Sequence, residues 1–162
     1  MFSFRTTPLF DQDDRILSEG RLAVICNQAA WHPDTGEYLF ETLYKKGNLC
    51  RILMPQHSFY GPVNDEVESI EVSDFIDIED LKDIDAVIVE LQDAGSRYSS
   101  FTSLIYSLLS GINKYRPDIS VFILDRPCPS GRQIEGTSGS LGLPQRHGLT
   151  LGEMVYMFYS EM

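Results

Sequence analysis

Four groups of polar residues in this chain follow directly after short apolar runs, and their residue types are those that bind small ligands. They are Asn27-Gln28 after LAVIC, residues 55–61 after RILM, residues 90–97 after AVIV, and residues 125–127 after SVFIL. Their amides, carboxylates, imidazole and guanidiniums can hold hydroxyls or anions and transfer protons. If the apolar runs are strands of one open parallel sheet, their carboxyl ends share an edge where the polar groups converge. The sequence therefore predicts a ligand crevice on a doubly wound domain.

The second group places the imidazole of His57 beside the aromatic residues Phe59 and Tyr60. Imidazole is the side chain best suited to proton transfer near neutral pH. Aromatic rings offer flat apolar faces on which a sugar ring can stack. The alternative is a simple turn in which His57 makes one backbone hydrogen bond.

The third group combines the carboxylate of Asp93, the amide of Gln92 and the guanidinium of Arg97 at a strand-to-helix turn. These side chains can form hydrogen bonds with a sugar hydroxyl and interact with a charged group, and Gly95 permits close approach of the backbone. The alternative is structural: Asp93 caps the following helix and Arg97 pairs with Asp93.

Two further arginines, in Asp125-Arg126 and Arg146-His147, are suited to bidentate capture of a carboxylate. They favour an anionic small ligand. Glu135 lies in a long loop with apolar neighbours, where a raised pKa would let its carboxyl act as a general acid. A purely structural role is the alternative for this loop glutamate.

Composition and missing motifs exclude several function classes. The formal net charge of −11 argues against a nucleic-acid or anionic-membrane partner, and the acidic stretch between Asp65 and Asp85 indicates a solvated face. The sequence has no GxGxxG, GxxxxGK[ST] or GxSxG motif. Its three cysteines lack CxxC spacing, which indicates reduced thiols and neither zinc nor structural disulfides. Cys26 and Cys50 are expected in strands, and Cys128 in an exposed loop.

The N-terminus lacks the uninterrupted apolar stretch of a signal peptide, and no run is long enough to cross a bilayer. A cytoplasmic chain is the default expectation. A periplasmic or secreted location is expected instead if a leader has been lost.

Hydrophobic patterning predicts a single Rossmann-like α/β domain over residues 1–162, with a doubly wound, mostly parallel sheet and flanking helices. Strands are predicted over 22–26, 49–54, 86–91 and 120–124, with a short one near 67–72. Helices are predicted over 9–19, 36–46 and 99–115, with one helical turn over 78–82 and a capping box at Thr150 and Glu153.

The last helix carries an apolar face of Met154, Val155 and Phe158 that needs a partner. A chain that ends soon after such a helix begins is expected to belong to a longer protein with a second domain. Docking to that domain, or self-association through this helix, is the expected interaction.

Six strings in the chain resemble the exo-β-N-acetylmuramidase (NamZ-like) family of bacterial cell-wall recycling. They are LAVICNQ, MPQHSFYG, VELQDAGSRY, LDRPCPSG, QIEG and PQRHGLTLGE, and they agree in order and spacing from about Arg21 to Glu153. The corresponding family strings include Thr-Asn-Gln after a strand, Gly-Pro-Glu-His-Gly-Phe-Arg-Gly, Leu-Asp-Arg-Pro-Asn-Pro and Val-Glu-Gly. Several co-linear motifs of this kind make the resemblance specific.

The resemblance implies hydrolysis of a terminal β-linked N-acetylmuramic acid from peptidoglycan fragments, in a cleft between a Rossmann-like domain and a second domain. It implies no metal and no organic cofactor. The candidate catalytic residues are Glu135, Asp93, His57 and Gln56. The candidate residues for binding the muramyl sugar are Asn27, Gln92, Arg97, Asp125, Arg126, Arg146 and His147.

The chain departs from the family pattern at Gln56, where the family has glutamate; smaller departures are Ser58, Tyr60 and Cys128. An amide can neither donate a proton as a carboxylic acid nor act as a carboxylate base. Glycoside hydrolysis typically uses two carboxyl groups, roughly 5–5.5 Å apart for retention and 6.5–9.5 Å apart for inversion. Three hypotheses follow: a glycosidase domain, intact or degenerate; a muramyl-sugar-binding domain without turnover; and an oligomerising α/β domain.

Overall fold

The computed structural model describes residues 2–5, 15–56, 58–59, 63–98, 101–139 and 142–159. Within these ranges six strands form one sheet: β1 (Phe2–Arg5), β2 (Leu22–Cys26), β3 (Leu49–Pro55), β4 (Glu68–Val72), β5 (Ala86–Glu90) and β6 (Ser120–Leu124). The α-helices are α1 (Arg15–Glu19), α2 (Leu39–Lys46), α3 (Phe101–Tyr115) and α4 (Leu151–Tyr159). Short 3-10 turns cover Gln28–Ala30 and Ile78–Leu81.

The sheet is parallel throughout, in the order β1-β6-β5-β2-β3-β4. From β2 the chain adds β3 and β4 on one side, then crosses back to place β5 against the other side of β2. This reversal makes the space beyond the carboxyl ends of β2 and β5 the topological switch point, where ligands bind in such folds. The predicted Rossmann-like, doubly wound fold is confirmed.

Helices cover both faces of the sheet, which explains why the central strands are apolar along their whole length. Every residue of β2 and β5 is buried. Ala23 and Ile25 face the core that contains α3 and α4, whereas Val24 and Cys26 face the core that contains α1 and α2. The sheet edge is the part of this scaffold left for ligands.

Local capping sets the helix ends. Helix α2 begins at Leu39, later than the predicted residue 36, because the Tyr38 backbone N–H donates to the Glu41 carboxylate at 2.7 Å. Gly47 ends it in the left-handed conformation, with φ of 82°. The predicted capping box of α4 is present: Thr150 N–H donates to Glu153 Oε2 at 2.9 Å, and Glu153 N–H donates to Thr150 Oγ1 at 3.1 Å.

Strand β1 is an element that the sequence did not predict. Its four residues are too few to show a period, and they become a strand by pairing with β6, Phe2 opposite Val121. Of the helix predicted over 9–19, the described part is α1. None of the described helices is long and apolar enough to cross a membrane.

Two expectations from the sequence concern solvent exposure, one for Cys128 and one for the apolar face of α4. Cys128 was expected to be exposed, and this is wrong: it is buried because its Sγ packs where the chain passes Gly95. In α4, Met154 and Val155 are buried in the core shared with α3, so the chain itself covers them. The side chain of Phe158 lies outside the described residues, and docking of α4 to a partner stays a prediction.

Asp125, which follows β6 directly, fixes the start of α4. Its carboxylate accepts hydrogen bonds from Thr150 Oγ1 at 2.6 Å and from the Gly152 backbone N–H at 2.9 Å. A side-chain oxygen that satisfies the free N–H groups of a helix start stabilises the helix. Asp125 thus has a structural role besides the substrate-binding role predicted for it.

Replacing Asp125 with alanine is expected to lower the free energy of unfolding by about 1–2 kcal/mol, because the first turn of α4 loses its acceptor. Urea unfolding followed by circular dichroism measures this loss. Asp34→Ala, at an exposed turn position, is the matched control and should change stability by less than about 0.5 kcal/mol. Equal effects of the two substitutions would contradict the capping role.

Candidate functional site

The centre of the switch point is a buried carboxylate. Glu90 ends β5, and its side chain is only 1% exposed. Its Oε1 accepts a hydrogen bond from Arg126 Nη2 at 2.5 Å and contacts His32 Nε2. Burial raises the pKa of Glu90, while Arg126 and His32 act in the opposite direction. Its Oε2 has no hydrogen-bond partner among the described residues.

Arg126 connects this carboxylate to the loop that follows β2. Its guanidinium donates to the carbonyl oxygens of Ala29 at 3.4 Å and Ala30 at 3.1 Å. The loop after β2, the end of β5 and the start of the loop after β6 therefore share one set of contacts. We call Glu90, His32 and Arg126 the switch-point cluster.

Asn27 and Gln92 are hydrogen-bonded to each other at the same edge of the sheet. Asn27 Nδ2 donates to the Gln92 carbonyl at 3.2 Å, and Gln92 N–H donates to Asn27 Oδ1 at 3.4 Å. The Gln92 side chain donates to the carbonyl oxygens of Asp93 at 3.1 Å and Pro127 at 3.5 Å. The structure brings both predicted residues to the crevice, where their amides join the three loops.

A second group of predicted residues forms a cleft of about 320 Å³, within the usual size range of ligand pockets. Arg146 Nη1 donates to Glu135 Oε2 at 3.1 Å, and its Nη2 donates to the Ser130 carbonyl. Glu135 remains 60% exposed. The lining residues are Ala94, Gly95, Ser96, Tyr98, Ser130, Glu135, Gln145 and Arg146.

Tyr98 contributes an exposed aromatic ring to this cleft. Arg97 lies over the ring, 5.4 Å from its centroid, and Gln145 donates to the phenol oxygen at 3.2 Å. Arg97 and then Gln145 lower the pKa of the Tyr98 phenol. The cleft thus offers a carboxylate, a guanidinium, a phenol and a flat ring face.

Asp93 and His147 lie behind the cleft, and both are buried. Asp93 Oδ1 accepts from the Gly95 N–H at 2.6 Å, and the His147 N–H donates to the Gly95 carbonyl at 3.0 Å. Asp93 Oδ2 and His147 Nε2 are buried without a hydrogen-bond partner among the described residues. Arg97 does not follow the structural alternative of pairing with Asp93; it donates to the carbonyl oxygens of Thr137 and Leu143.

The group after β3 is described only in part. Gln56 is exposed, and its backbone N–H donates to the Val72 carbonyl at 3.0 Å. His57 lies outside the described residues, so its predicted role stays a prediction. The loop meets the one after β2, because Gln28 N–H donates to the Ser58 carbonyl at 3.2 Å.

Sequence reasoning missed His32 and the central position of Glu90. A signal existed for Glu90: it closes a run of buried residues, and a buried carboxylate requires a charged or hydrogen-bonding partner. His32 offered no such signal, because it lies in a turn without periodicity. Its partner Glu90 is 58 residues away in the chain.

The sheet topology, the switch-point cluster and the cleft define a Rossmann-like α/β domain with a cleft near its topological switch point. Gly95 lines the cleft and has a backbone conformation that favours glycine. It has φ of 76°, and an added Cβ would lie 2.3 Å from Cys128 Sγ and 2.8 Å from Ser130 Oγ.

Comparison with known proteins identifies the family. The family profile described as exo-beta-N-acetylmuramidase NamZ, N-terminal, matches residues 22–162. The peptidoglycan beta-N-acetylmuramidase NamZ of Bacillus subtilis (strain 168) is 31% identical over 119 residues, which cover 67% of this chain and 26% of that protein. The chain belongs to the NamZ exo-β-N-acetylmuramidase family, as its motifs predicted.

Two solved structures of DUF1343 family proteins from Bacteroides fragilis NCTC 9343 are similar to this chain. The first has a TM-score of 0.75 and 28% sequence identity, and the match covers 90% of this chain and 43% of that one. The second has a TM-score of 0.72 and 24% identity, covers 90% of this chain and 42% of that one, and supports the fold alone. The chain thus spans less than half the length of each of these relatives.

Replacing Gly95 with alanine is expected to lower the free energy of unfolding by more than about 3 kcal/mol. The cost of the left-handed backbone conformation and the cost of the steric clash of the new Cβ both contribute to this loss. Gly131→Ala is the matched control. Gly131 has the same φ of 76°, with nothing within 4 Å of an added Cβ, so only the backbone cost of about 1–2 kcal/mol applies. Denaturant titration of both variants measures the difference, and equal losses would contradict the close approach at Gly95.

Proposed function

We propose that this chain forms the Rossmann-like part of a glycosidase site that releases terminal β-linked N-acetylmuramic acid from peptidoglycan fragments. The observation that carries the proposal is the cleft in which an accessible carboxylate, Glu135, faces the guanidinium of Arg146. It lies beside the switch point, where the fold places ligands. The family membership and the name of the Bacillus subtilis relative support the sugar as the substrate class.

The substrate's chemistry matches the groups in the cleft. N-acetylmuramic acid carries a lactyl carboxylate, which Arg146 can bind bidentately once it exchanges partners. That exchange releases Glu135, whose carboxyl then becomes the general acid of the reaction. The exposed ring of Tyr98 supplies an apolar face for the sugar.

The second carboxyl group of the reaction is proposed to be Asp93. Its Oδ2 is buried and has no hydrogen-bond partner among the described residues. A local opening next to the cleft would have to expose this oxygen to a water or a sugar. Gly95 holds the other oxygen in place at 2.6 Å. We assign no role to a metal or an organic cofactor.

The alternative is a muramyl-sugar-binding domain without turnover. Gln56 favours it, because an exposed amide stands at the end of β3 where the family motif has glutamate. In that case the cleft binds the sugar and Glu135 keeps its pair with Arg146. A second domain that completes the cleft, as expected from the length of the relatives, stays a proposal in both cases.

The test is hydrolysis of a chromogenic N-acetyl-β-muramide by the unmodified chain and by Gln56→Glu. We expect slow release by the unmodified chain. The rate should rise about 10²-fold or more in Gln56→Glu, since an acid–base group typically contributes that much. Glu135→Gln should abolish release in both backgrounds. Gln133→Glu, in the same exposed loop as Glu135, is the control for added charge.

The outcomes separate the two functions. Release that depends on Glu135 supports the glycosidase. Binding of N-acetylmuramic acid in calorimetry, without release by either form, supports the binding domain. The absence of both binding and release would overturn the muramyl sugar as the ligand of this chain.

A further inference from the structure

The donors and acceptors of the switch-point cluster favour one position for the ring proton of His32. Arg126 Nη2 lies within reach of three atoms: Ala30 O at 3.1 Å, Glu90 Oε1 at 2.5 Å and His32 Nε2 at 2.8 Å. This nitrogen has only two hydrogens, and an ionised carboxylate can only accept. Every contact of Glu90 Oε1 is satisfied when Nη2 donates to Ala30 and Glu90 while His32 donates its own Nε2–H to Glu90.

In this arrangement, a ring with one proton has its lone pair on Nδ1. That atom has no hydrogen-bond partner among the described residues. The His32 side chain is 25% exposed, compared with 18% for Arg126 and 1% for Glu90. His32 is therefore the member of the cluster that a ligand can reach best.

His32 is also held in place before any ligand arrives. Its backbone N–H donates to the Glu37 carbonyl at 3.2 Å, and its carbonyl accepts from the Gly36 N–H at 2.8 Å. Its ring is fixed by Glu90. A rigid acceptor of this kind binds without the entropic cost of ordering a side chain.

Trp31, which precedes His32 in the chain, carries an exposed aromatic ring. Trp31 is 44% exposed, and its ring and that of Tyr38 pack edge to face with centroids 5.1 Å apart. Tyr38 is fixed in turn by the rings of Phe40 and Phe59 and by its hydrogen bond to the Gln28 carbonyl. A flat apolar surface beside one hydrogen-bond acceptor suits a sugar, whose ring has an apolar face and a rim of hydroxyls.

We propose that His32 is a further ligand-binding residue of this crevice. Its Nδ1 accepts a hydrogen bond from a hydroxyl of the bound sugar, and Glu90 is the positioning residue that orients the ring. A hydroxyl fits this site better than a carboxylate does, because Glu90 already neutralises Arg126 and the unprotonated ring nitrogen can only accept. The inference rests on the proposed function, since it names a second contact for the same sugar.

Two substitutions of His32 separate ligand binding from structure. In His32→Gln the amide nitrogen takes the place of Nε2 and keeps the donor to Glu90, but the Nδ1 acceptor is lost. In His32→Asn the amide oxygen takes the place of Nδ1, but the donor to Glu90 is lost. We expect His32→Gln to keep the Tm and to bind N-acetylmuramic acid about fivefold more weakly, the effect of one net hydrogen bond. His32→Asn should have the lower Tm and the stronger binding of the two.

Calorimetric titration with N-acetylmuramic acid and thermal unfolding of the three proteins provide these data. Opposite orders of stability and affinity support the inference, because a purely structural role would move both in the same direction. Unchanged affinity in His32→Gln would overturn it and leave the glycosidase proposal standing. Binding that depends on His32 without hydrolysis would overturn turnover alone.

A measurement on the unmodified, ligand-free chain adds an independent check. Long-range ¹H–¹⁵N spectra of the imidazole rings should show the Nε2–H tautomer at His32, assigned by its loss in His32→Gln. An Nδ1–H tautomer would overturn the inference whatever the sugar does. If the unmodified chain binds no N-acetylmuramic acid, both the inference and the proposed sugar fail.

Discussion

The burial of one carboxylate, Glu90, constrains this end of the molecule more than any other interaction. A charge removed from water at the end of a central strand is tolerated only with a close partner and good hydrogen bonds. Arg126 supplies that partner from the loop after β6, and His32 adds a second contact from the loop after β2. The loops after β2 and β6 are therefore fixed to the end of β5 at the switch point by an interaction that the fold requires.

The need to pair buried charges also limits which guanidinium groups of the crevice a ligand can bind. Each of the three arginines predicted to bind substrate is engaged with protein acceptors: Arg97 with loop carbonyls, Arg126 with Glu90, and Arg146 with Glu135 and Ser130. An anionic group that binds one of these guanidiniums competes with the acceptors already present. The partner of Arg146 is an exposed carboxylate, whereas that of Arg126 is buried, so the exchange costs least at Arg146. For the proposed ligand, this difference favours binding of the anionic group in the cleft and leaves the switch-point cluster intact.

The central strands were predicted from the sequence, because runs such as LAVIC and AVIVE are buried on both faces and few other structures accommodate them. The meeting of Asn27, Gln92 and Arg126 at one edge of the sheet was predicted from the parallel topology. The contact of His32 with Glu90 did not, since tertiary packing alone joins a turn residue to a strand 58 residues away. Cys128 was misjudged for the same reason: a loop rich in Pro, Gly and Ser is buried here by its packing against Gly95.

Most residues that identify the family in this chain also hold the fold together. Asn27 joins two loops, Asp93 closes a turn, Gly95 allows a close approach, and Asp125 caps α4. Selection for folding alone would retain them, so their presence does not separate an enzyme from a binding domain. The informative positions are those with reactive atoms that the fold does not use. Among the described residues Gln56 and Nδ1 of His32 are of this kind, and Glu135 comes close to it, because its exposed side chain contacts only Arg146. The proposed chemistry depends on these positions.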